Sequence, residues 1–182
     1  IFYQSAKKQN PNILKNKKKW ITFVGKLNKA KGYDVFAKSI VKILDKHREW
    51  KAIVIGDEKR EKIPLVHGNA KILGFKKHSD VIKIFQKTSI TVACSRWEEP
   101  FGRSSLEASS LACATIITDR GGLPETTKYP ILLKKLDINS LYKEIKKLIE
   151  NRKMRTSYQK LNYKSFYLSH EYVSNIIDKA RL

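Results

Sequence analysis

The chain has 182 residues, which is enough for one well-packed domain and few for two. Its hydrophobic fraction of 41% is normal for a globular protein, and no apolar run approaches the roughly 20 residues that span a bilayer. The net charge of +21 attracts phosphate groups, but only eight of the 38 basic residues are Arg, which nucleic-acid readers use for bidentate contacts. We therefore rank nucleic acid below other phosphate-bearing ligands, and keep a basic module that binds nucleotides or nucleic acid as the alternative.

The first residues and the cysteines add expectations about organisation. Residues 1–19 are polar and rich in Lys, which is typical of a linker or tail. The sequence starts without Met and without the apolar core of a signal peptide, so we expect a fragment of a longer protein. Cys94 and Cys113 fall in apolar segments without metal-ligand spacing, so we expect buried thiols and a cytoplasmic protein. The histidines also lack the spacing of a metal site: His47, His67, His78 and His170.

Short apolar runs followed by glycine or a turn alternate with helical patterns along the chain. The runs predict strands at residues 20–25, 52–56, 70–74, 90–94, 114–118 and about 129–133. Helices are predicted at about 33–44, around 81–85, from 102, around 141–149, and from 152 to 182. This alternation is typical of right-handed βαβ units, so the predicted fold class is α/β, a Rossmann-like parallel sheet flanked by helices.

The chain breaks that follow the predicted strands all fall on one edge of that sheet. Ligands of parallel sheets bind beyond the carboxyl ends of the strands, and glycine there lets the backbone approach a ligand closely. The sequence therefore predicts a binding cleft at this edge. The breaks are Gly25, Gly56, Gly74, residues 97–102, and Gly121 with Gly122.

The longest break leads into a helix and carries two carboxylates. Pro100 disfavours helix at the preceding residue, so Glu99 belongs to the turn. Glu107 lies inside the helix, whose N-terminal N–H groups form a ready anion site between the two acids. Glu107 could instead be a surface acid that complements the helix dipole, and Glu99 could face solvent beside Glu98. The helix is rich in Ala and Ser, which suits close packing on a sheet and favours Glu107 in the cleft.

The segment Glu99-Pro-Phe-Gly-(x)4-Glu107-Ala resembles the E-x(7)-E motif of glycosyltransferase family 4, the enzymes that use nucleotide sugars and have the GT-B fold. A strand and Trp97 precede it, and a second block, Gly121-Gly-Leu-Pro-Glu125, follows the next strand as in that family. The resemblance covers about residues 20–150. It implies a nucleotide-sugar-binding domain at 20–164, the C-terminal half of a GT-B enzyme. Residues 165–182 would then form a helix that crosses to an N-terminal acceptor-binding half.

The resemblance also implies a role for each matching residue. Glu107 would hold the ribose and Glu99 would contact the transferred sugar. Lys26 and Lys31 match the basic pair that grips the diphosphate, although Lys26 replaces the usual Arg and loses its bidentate fork. The implied catalytic residues are Glu99, Lys26 and Lys31. The implied donor-binding residues are Gly25, Gly74, Phe75, Pro100, Phe101, Gly102, Arg103, Ser104, Glu107, Gly121 and Gly122.

The implied function is that of a retaining glycosyltransferase that moves a sugar from a nucleoside-diphosphate sugar to a glycan or lipid-linked acceptor, without a metal or other cofactor. The sequence has no Asp-x-Asp motif. The acceptor-binding half is an expected partner, and an anionic surface at the inner face of the membrane is a further candidate partner. The chain alone should bind the donor and turn over poorly. A non-catalytic scaffold stays open, as do core packing for Phe75 and solvent exposure for Arg103.

Overall fold

A six-stranded parallel sheet forms the centre of the computed structural model, which describes residues 12–168 and 170–181. The strands lie in the order β3-β2-β1-β4-β5-β6. The inner strands are buried, as expected for a parallel sheet covered on both faces. The predicted α/β class is therefore confirmed. The strands are β1 (Lys18–Val24), β2 (Lys51–Ile55), β3 (Ala70–Ile72), β4 (Thr88–Ala93), β5 (Ala114–Thr118) and β6 (Ile131–Leu133).

Helices cover the two faces of the sheet. They are α1 (Tyr33–Lys46), α2 (His78–Lys87), α3 (Arg103–Ser110), α4 (Ile138–Glu150), α5 (Arg152–Lys164) and α6 (His170–Ala180), with a short 3-10 helix at Pro124–Thr126. Buried side chains of α1 and α4, among them Phe36 and Ile145, form one core with the sheet. On the opposite face Phe85 of α2 and Ala108 of α3 form a second core with strand residues. In the described part of the chain, no helix combines the length and apolar character that a bilayer crossing requires.

Gly32 fixes the loop between β1 and α1 against the end of β4. Its φ of 71° lies in the left-handed region, which suits glycine. A Cβ atom at this position would lie 1.9 Å from the carbonyl oxygen of Cys94. No side chain fits there, so glycine allows the loops that follow β1 and β4 to touch.

The first strand begins earlier than the sequence predicts. β1 starts at Lys18, and Ile13 in the preceding turn is 6% exposed, so residues 12–17 pack on the domain. The predicted linker 1–19 therefore overlaps the strand, and its residues 1–11 lie outside the described residues. Lys18 pairs with Thr88 in the neighbouring strand, and the Ser89 hydroxyl donates to the Lys18 carbonyl. These polar residues hide the start of both strands from an analysis of apolar runs.

The single helix predicted from 152 to 182 is wrong. The chain forms α5 and α6, separated by a break after Lys164. The backbone N–H and the hydroxyl of Ser165 both donate to the Leu161 carbonyl, which ends α5. The Lys128 ammonium lies 4.6 Å from the ring centre of Tyr167, which holds the following segment against the domain. Along α6, every residue from Tyr172 to Ala180 is exposed.

Candidate nucleotide-sugar site

The cleft lies where the sheet changes direction. β1 is followed by strands on one side of it, whereas β4 returns to its other side, so the loops after β1 and β4 diverge. This switch point is the usual ligand position in open α/β sheets. A cavity of about 790 Å³ opens there, at the carboxyl ends of the strands. Its size is that of a small-molecule site.

Most of the residues predicted for the site line this one cleft. The loop after β1, the β3–α2 turn, the turn after β4 and the start of α3 all contribute to it. The predicted residues in its lining are Gly25, Lys26, Lys31, Phe75, Glu99, Pro100, Phe101, Gly102, Arg103, Ser104 and Glu107. The interpretation of Phe75 as a core residue is wrong, because its side chain is 78% exposed at the rim.

Lys31 and Glu99 form a two-point ion pair across the cleft. The Lys31 ammonium donates to both carboxylate oxygens of Glu99, at 2.5 and 2.7 Å. The Glu99 side chain is 11% exposed and that of Lys31 is 32% exposed, so water screens the pair only partly. The two residues come from the loops that Gly32 brings together. The cation and the acid predicted for different parts of the donor are thus paired with each other.

Glu107 is buried in the cleft and does not face bulk water. Its side chain is 7% exposed, and its Oε1 atom lies 3.1 Å from Nε2 of His78. Burial raises the pKa of the Glu107 carboxyl, while the nearby charges of His78 and Arg103 act in the opposite direction. The interpretation of Glu107 as a solvated surface acid is therefore wrong. A buried carboxylate that faces a cavity is placed to accept hydrogen bonds from a ligand.

The N-terminus of α3 opens into the same cleft. Gly102 precedes the helix with a φ of 87°, and a Cβ there would lie 2.5 Å from Cδ2 of Leu123. Glycine thus permits the sharp entry into the helix. Gly102, Arg103 and Ser104 all line the cleft, so the positive end of the helix dipole faces it. This arrangement favours an anionic group at that position.

Three predicted residues lie behind the cleft wall. Gly74 accepts a hydrogen bond from the Gly56 backbone at 3.0 Å. Gly122 donates to the Glu99 carbonyl at 2.7 Å, and a Cβ on Gly121 would lie 2.2 Å from the same oxygen. The glycine pair therefore supports the backbone of the Glu99 turn from below. The structure places all three outside the lining of the cleft.

Adjacent acids in the turn have different environments. The Glu98 carboxylate accepts hydrogen bonds from Arg120 at 3.0 Å and from the Gly121 backbone at 2.5 Å. It does not line the cleft, whereas Glu99 does. The sequence alone leaves both acids as candidates for the solvent-facing position. The pairing of Glu98 with Arg120 decides between them.

Sequence reasoning missed several residues of the site, of which His78 is the most informative. His78 is the first residue of α2 and lines the cleft beside Glu107. The histidines were tested only against metal-site spacing. Its position four residues after Gly74, at the edge where strands end, is the signal that points to the cleft. Other residues of the lining that were not predicted for the site are Asp57, Lys76, Val81 and Ser95.

The cysteine and metal expectations have different outcomes. Cys94 and Cys113 are buried free thiols, as predicted, and burial raises the pKa of Cys94 to about 12. The Cys94 thiol therefore stays protonated beside the cleft at neutral pH. Within residues 12–168 and 170–181, no group of three or more His, Cys, Asp and Glu side chains is arranged to hold a metal ion.

The fold and the cleft define a class of protein, a Rossmann-like domain that binds its ligand at the switch point of a parallel sheet. The family model described as glycosyl transferases group 1 matches residues 4–165. The chain therefore belongs to this glycosyltransferase family.

Relatives of known name agree with the family. Spore coat protein SA of Bacillus subtilis is 26% identical over 121 residues, which cover 59% of this chain and 32% of the relative. The lipopolysaccharide core biosynthesis mannosyltransferase LpsB of Rhizobium meliloti is 28% identical over 118 residues, covering 59% of this chain and 33% of the relative. The chain thus spans about a third of the length of these curated relatives.

Solved structures share the fold. The C-terminal domain of the glycosyl transferase group 1 family protein LpcC from Francisella tularensis superposes with a TM-score of 0.73 at 21% identity, covering 86% of this chain and 90% of that domain. HepE from Anabaena, solved in complex with UDP and glucose, superposes with a TM-score of 0.76 at 16% identity, covering 95% of this chain and 53% of HepE. The predicted likeness to the C-terminal half of a GT-B enzyme is confirmed at the level of the fold.

Proposed function

We propose that this chain is the donor-binding half of a retaining glycosyltransferase that transfers a sugar from a nucleoside-diphosphate sugar to a glycan or lipid-linked acceptor. The observation that carries the proposal is the single cleft that gathers Lys26, Lys31, Glu99, Glu107 and the N-terminus of α3. HepE, which has the same fold, was solved with UDP-glucose, and this supports a nucleotide sugar as the ligand. No metal or other cofactor is part of the proposal.

Each part of such a donor has a matching group in the cleft. The buried Glu107 carboxylate suits the ribose hydroxyls, which donate hydrogen bonds. The N-terminus of α3, with Lys26 and Lys31, suits the diphosphate. Glu99 would then contact the sugar, from the turn beside the helix. The three sets lie in one cavity of about 790 Å³.

Donor binding would exchange the partners of the Lys31–Glu99 ion pair. The diphosphate carries acceptor oxygens that replace the Glu99 carboxylate at the Lys31 ammonium, which now sits 2.5 Å from Glu99 Oε1. Glu99 is released and can accept hydrogen bonds from sugar hydroxyls. As the bond between the sugar and the diphosphate breaks, Lys26, Lys31 and the helix N–H groups stabilise the leaving group's charge. The proposal assigns no covalent nucleophile.

The proposal extends to the rest of the reaction. Two matching relatives are named as lipopolysaccharide core mannosyltransferases, which supports an acceptor in cell-surface polysaccharide biosynthesis. Apolar side chains of α6, including Val173, Ile176 and Ile177, are 43–49% exposed, and we assign this face to an acceptor-binding half. The reaction would take place in the cytoplasm, at the inner face of the membrane where the acceptor is lipid-linked.

Calorimetric titration with UDP, GDP, ADP and their sugars tests the proposal. We expect one nucleotide to bind the wild-type chain and to stabilise it by about 2.7 kcal/mol at 100 times its dissociation constant. Glu107→Ala should weaken the binding of that nucleotide, since the ribose loses its acceptor. The proposal fails if no nucleoside diphosphate binds, or if a single-stranded oligonucleotide alone binds with a steep dependence on salt.

A further inference from the structure

His78 and Glu107 come from different helices and meet inside the cleft. α2 begins at His78, directly after the turn that follows β3, and Glu107 lies in the second turn of α3. The His78 Nε2 and Glu107 Oε1 atoms are 3.1 Å apart. His78 is half-exposed, whereas Glu107 is buried. The contact therefore joins a residue that water can reach to one that it cannot.

A buried carboxylate needs this kind of partner to serve as a ligand group. Burial disfavours the charged form of Glu107, and an uncharged carboxyl is a poorer acceptor for hydroxyl groups. A positive or hydrogen-bonding neighbour offsets that cost. A carboxylate has about four lone-pair sites, so one bond to His78 leaves acceptor capacity for a ligand.

We propose that His78 is a positioning residue for the ribose site: it holds one oxygen of Glu107, keeps the carboxylate ionised, and maintains donor affinity at mildly acidic pH. This inference rests on the proposed function, because it gives Glu107 the ribose. It adds a residue from α2 that neither the motif nor the diphosphate-binding loops contain. His78 contacts the ribose only through Glu107, so it is not a catalytic residue.

The direction of the pH effect follows from the charges around Glu107. A carboxylate whose pKa is raised becomes protonated at a higher pH, so the affinity for ribose falls there first. His78 and Arg103 counteract the rise, and removing His78 should raise the pKa of Glu107 further. The other charged groups that line the cleft are Lys26, Lys31, Asp57, Lys76 and Glu99, and they stay in place in the variant.

The test compares wild type, His78→Ala and His78→Gln by calorimetry between pH 5.5 and 8, with the nucleoside diphosphate that wild type binds best. We expect His78→Ala to lose about tenfold in affinity at pH 7, and more at pH 5.5, because a charge-assisted hydrogen bond is removed. Gln keeps a donor but no charge, so His78→Gln should recover affinity at pH 8 and lose it on acidification. His67→Ala, which removes a histidine near Asp45 outside the cleft, is the matched control.

Inorganic pyrophosphate separates this role from a general effect of charge. Pyrophosphate has no ribose, so His78→Ala should change its affinity by less than about twofold. NMR titration of the Glu107 carboxyl without ligand should show a higher pKa in His78→Ala than in wild type. An equal loss for pyrophosphate and nucleotide, or an unmoved Glu107 titration, overturns the inference. If wild type binds pyrophosphate but no nucleoside diphosphate, the proposed function fails and this inference fails with it.

Discussion

Lysines at opposite ends of the sheet use their charge in different ways. Lys17 lies just before β1, at the amino edge, and its ammonium donates to the carbonyls of Phe85 and Leu111 at the ends of α2 and α3. Lys31 lies after β1, at the carboxyl edge, and its ammonium is paired with the Glu99 side chain. Both lysines satisfy a buried or half-buried acceptor. Only the second acceptor is a side chain that a ligand can replace.

The difference lies in what happens when the contact opens. If Lys17 moved away, the last carbonyls of both helices would lose a hydrogen-bond donor, which is costly for a helix end. If Lys31 leaves Glu99, a phosphate takes the vacant place and the charge stays compensated. One end of the domain therefore uses a lysine to hold packed helices, and the other uses a lysine to exchange partners. Substitutions at the two sites should separate stability from ligand binding.

Lys31→Met should cause the largest effect, on donor affinity. Opposite charges about 4 Å apart contribute about 4 kcal/mol at an effective dielectric near 20. Desolvation and the lost Glu99 pair offset part of that, which leaves about 2.7 kcal/mol, or about 100-fold in the dissociation constant. Calorimetry with the preferred nucleoside diphosphate measures the loss.

The matched control for Lys31 is Lys29→Met. Lys29 lies in the same loop, pairs with Glu61 at 3.6 Å, and does not line the cleft. Its substitution should leave affinity within about twofold of wild type, because exposed ion pairs contribute little. Equal losses in both variants would mean that the loop attracts phosphate only through its overall charge.

Lys17→Met should affect stability and leave the cleft unchanged. The variant keeps the apolar stem but leaves the carbonyls of Phe85 and Leu111 without this donor, at a cost of about 2 kcal/mol in the free energy of unfolding. Denaturant titration measures the change, with exposed Lys15→Met as the control. Nucleotide affinity should stay within about twofold. A large loss of affinity at unchanged stability would contradict the assignment of Lys17 to helix packing.

The pH dependence of that difference has a definite sign. Burial lowers the pKa of Lys17 below its usual value of 10.5. Between those two pKa values the unfolded chain binds the proton more tightly than the folded chain, so this group adds stability as pH rises. The gap in stability between wild type and Lys17→Met should therefore widen from pH 7 towards pH 10. A gap that narrows would mean that the ammonium is not withdrawn from water.

Glu99→Gln should strengthen the binding of UDP or another nucleoside diphosphate that carries no sugar. The carboxylate holds Lys31 in the ligand-free cleft, so neutralising it removes a competitor of the phosphate. We expect a gain of about fivefold, since breaking a partly screened ion pair costs about 1 kcal/mol. Glu98→Gln is the control, because Glu98 is paired with Arg120 outside the cleft. Unchanged affinity would show that the pair does not compete with the ligand.

The fold was predictable because each inner strand is an apolar run followed by a glycine or a turn. The place of the cleft followed from the same pattern, since parallel strands end at one edge. Glu99 and Glu107 were predictable from their spacing around Pro100 and Gly102. These features depend on residues close in sequence, which is why a single sequence carries them.

Contacts between distant parts of the chain were not predictable. His78 meets Glu107 because α2 and α3 pack side by side, and no local pattern encodes that contact. The Lys31–Glu99 pair likewise depends on the close approach of two loops, which Gly32 allows. The break after α5 depends on local competition by Ser165, which helix periodicity does not reveal. The sequence thus located the site and left its internal pairing open.

Ala112→Gly should have the smallest effect, because it tests a backbone position away from both lysines. The sequence places alanine where the family often has glycine, and its φ is 58°, in the left-handed region. Glycine relieves about 1–2 kcal/mol of steric cost there but adds entropy to the unfolded chain and removes a buried methyl group. These terms nearly cancel, so the free energy of unfolding should stay within about 1 kcal/mol of wild type. Ala112→Val, which adds a branched side chain in the same conformation, should destabilise the domain clearly. A variant with Gly that loses more than Ala112→Val would mean that packing of the methyl group, and not the backbone, decides this position.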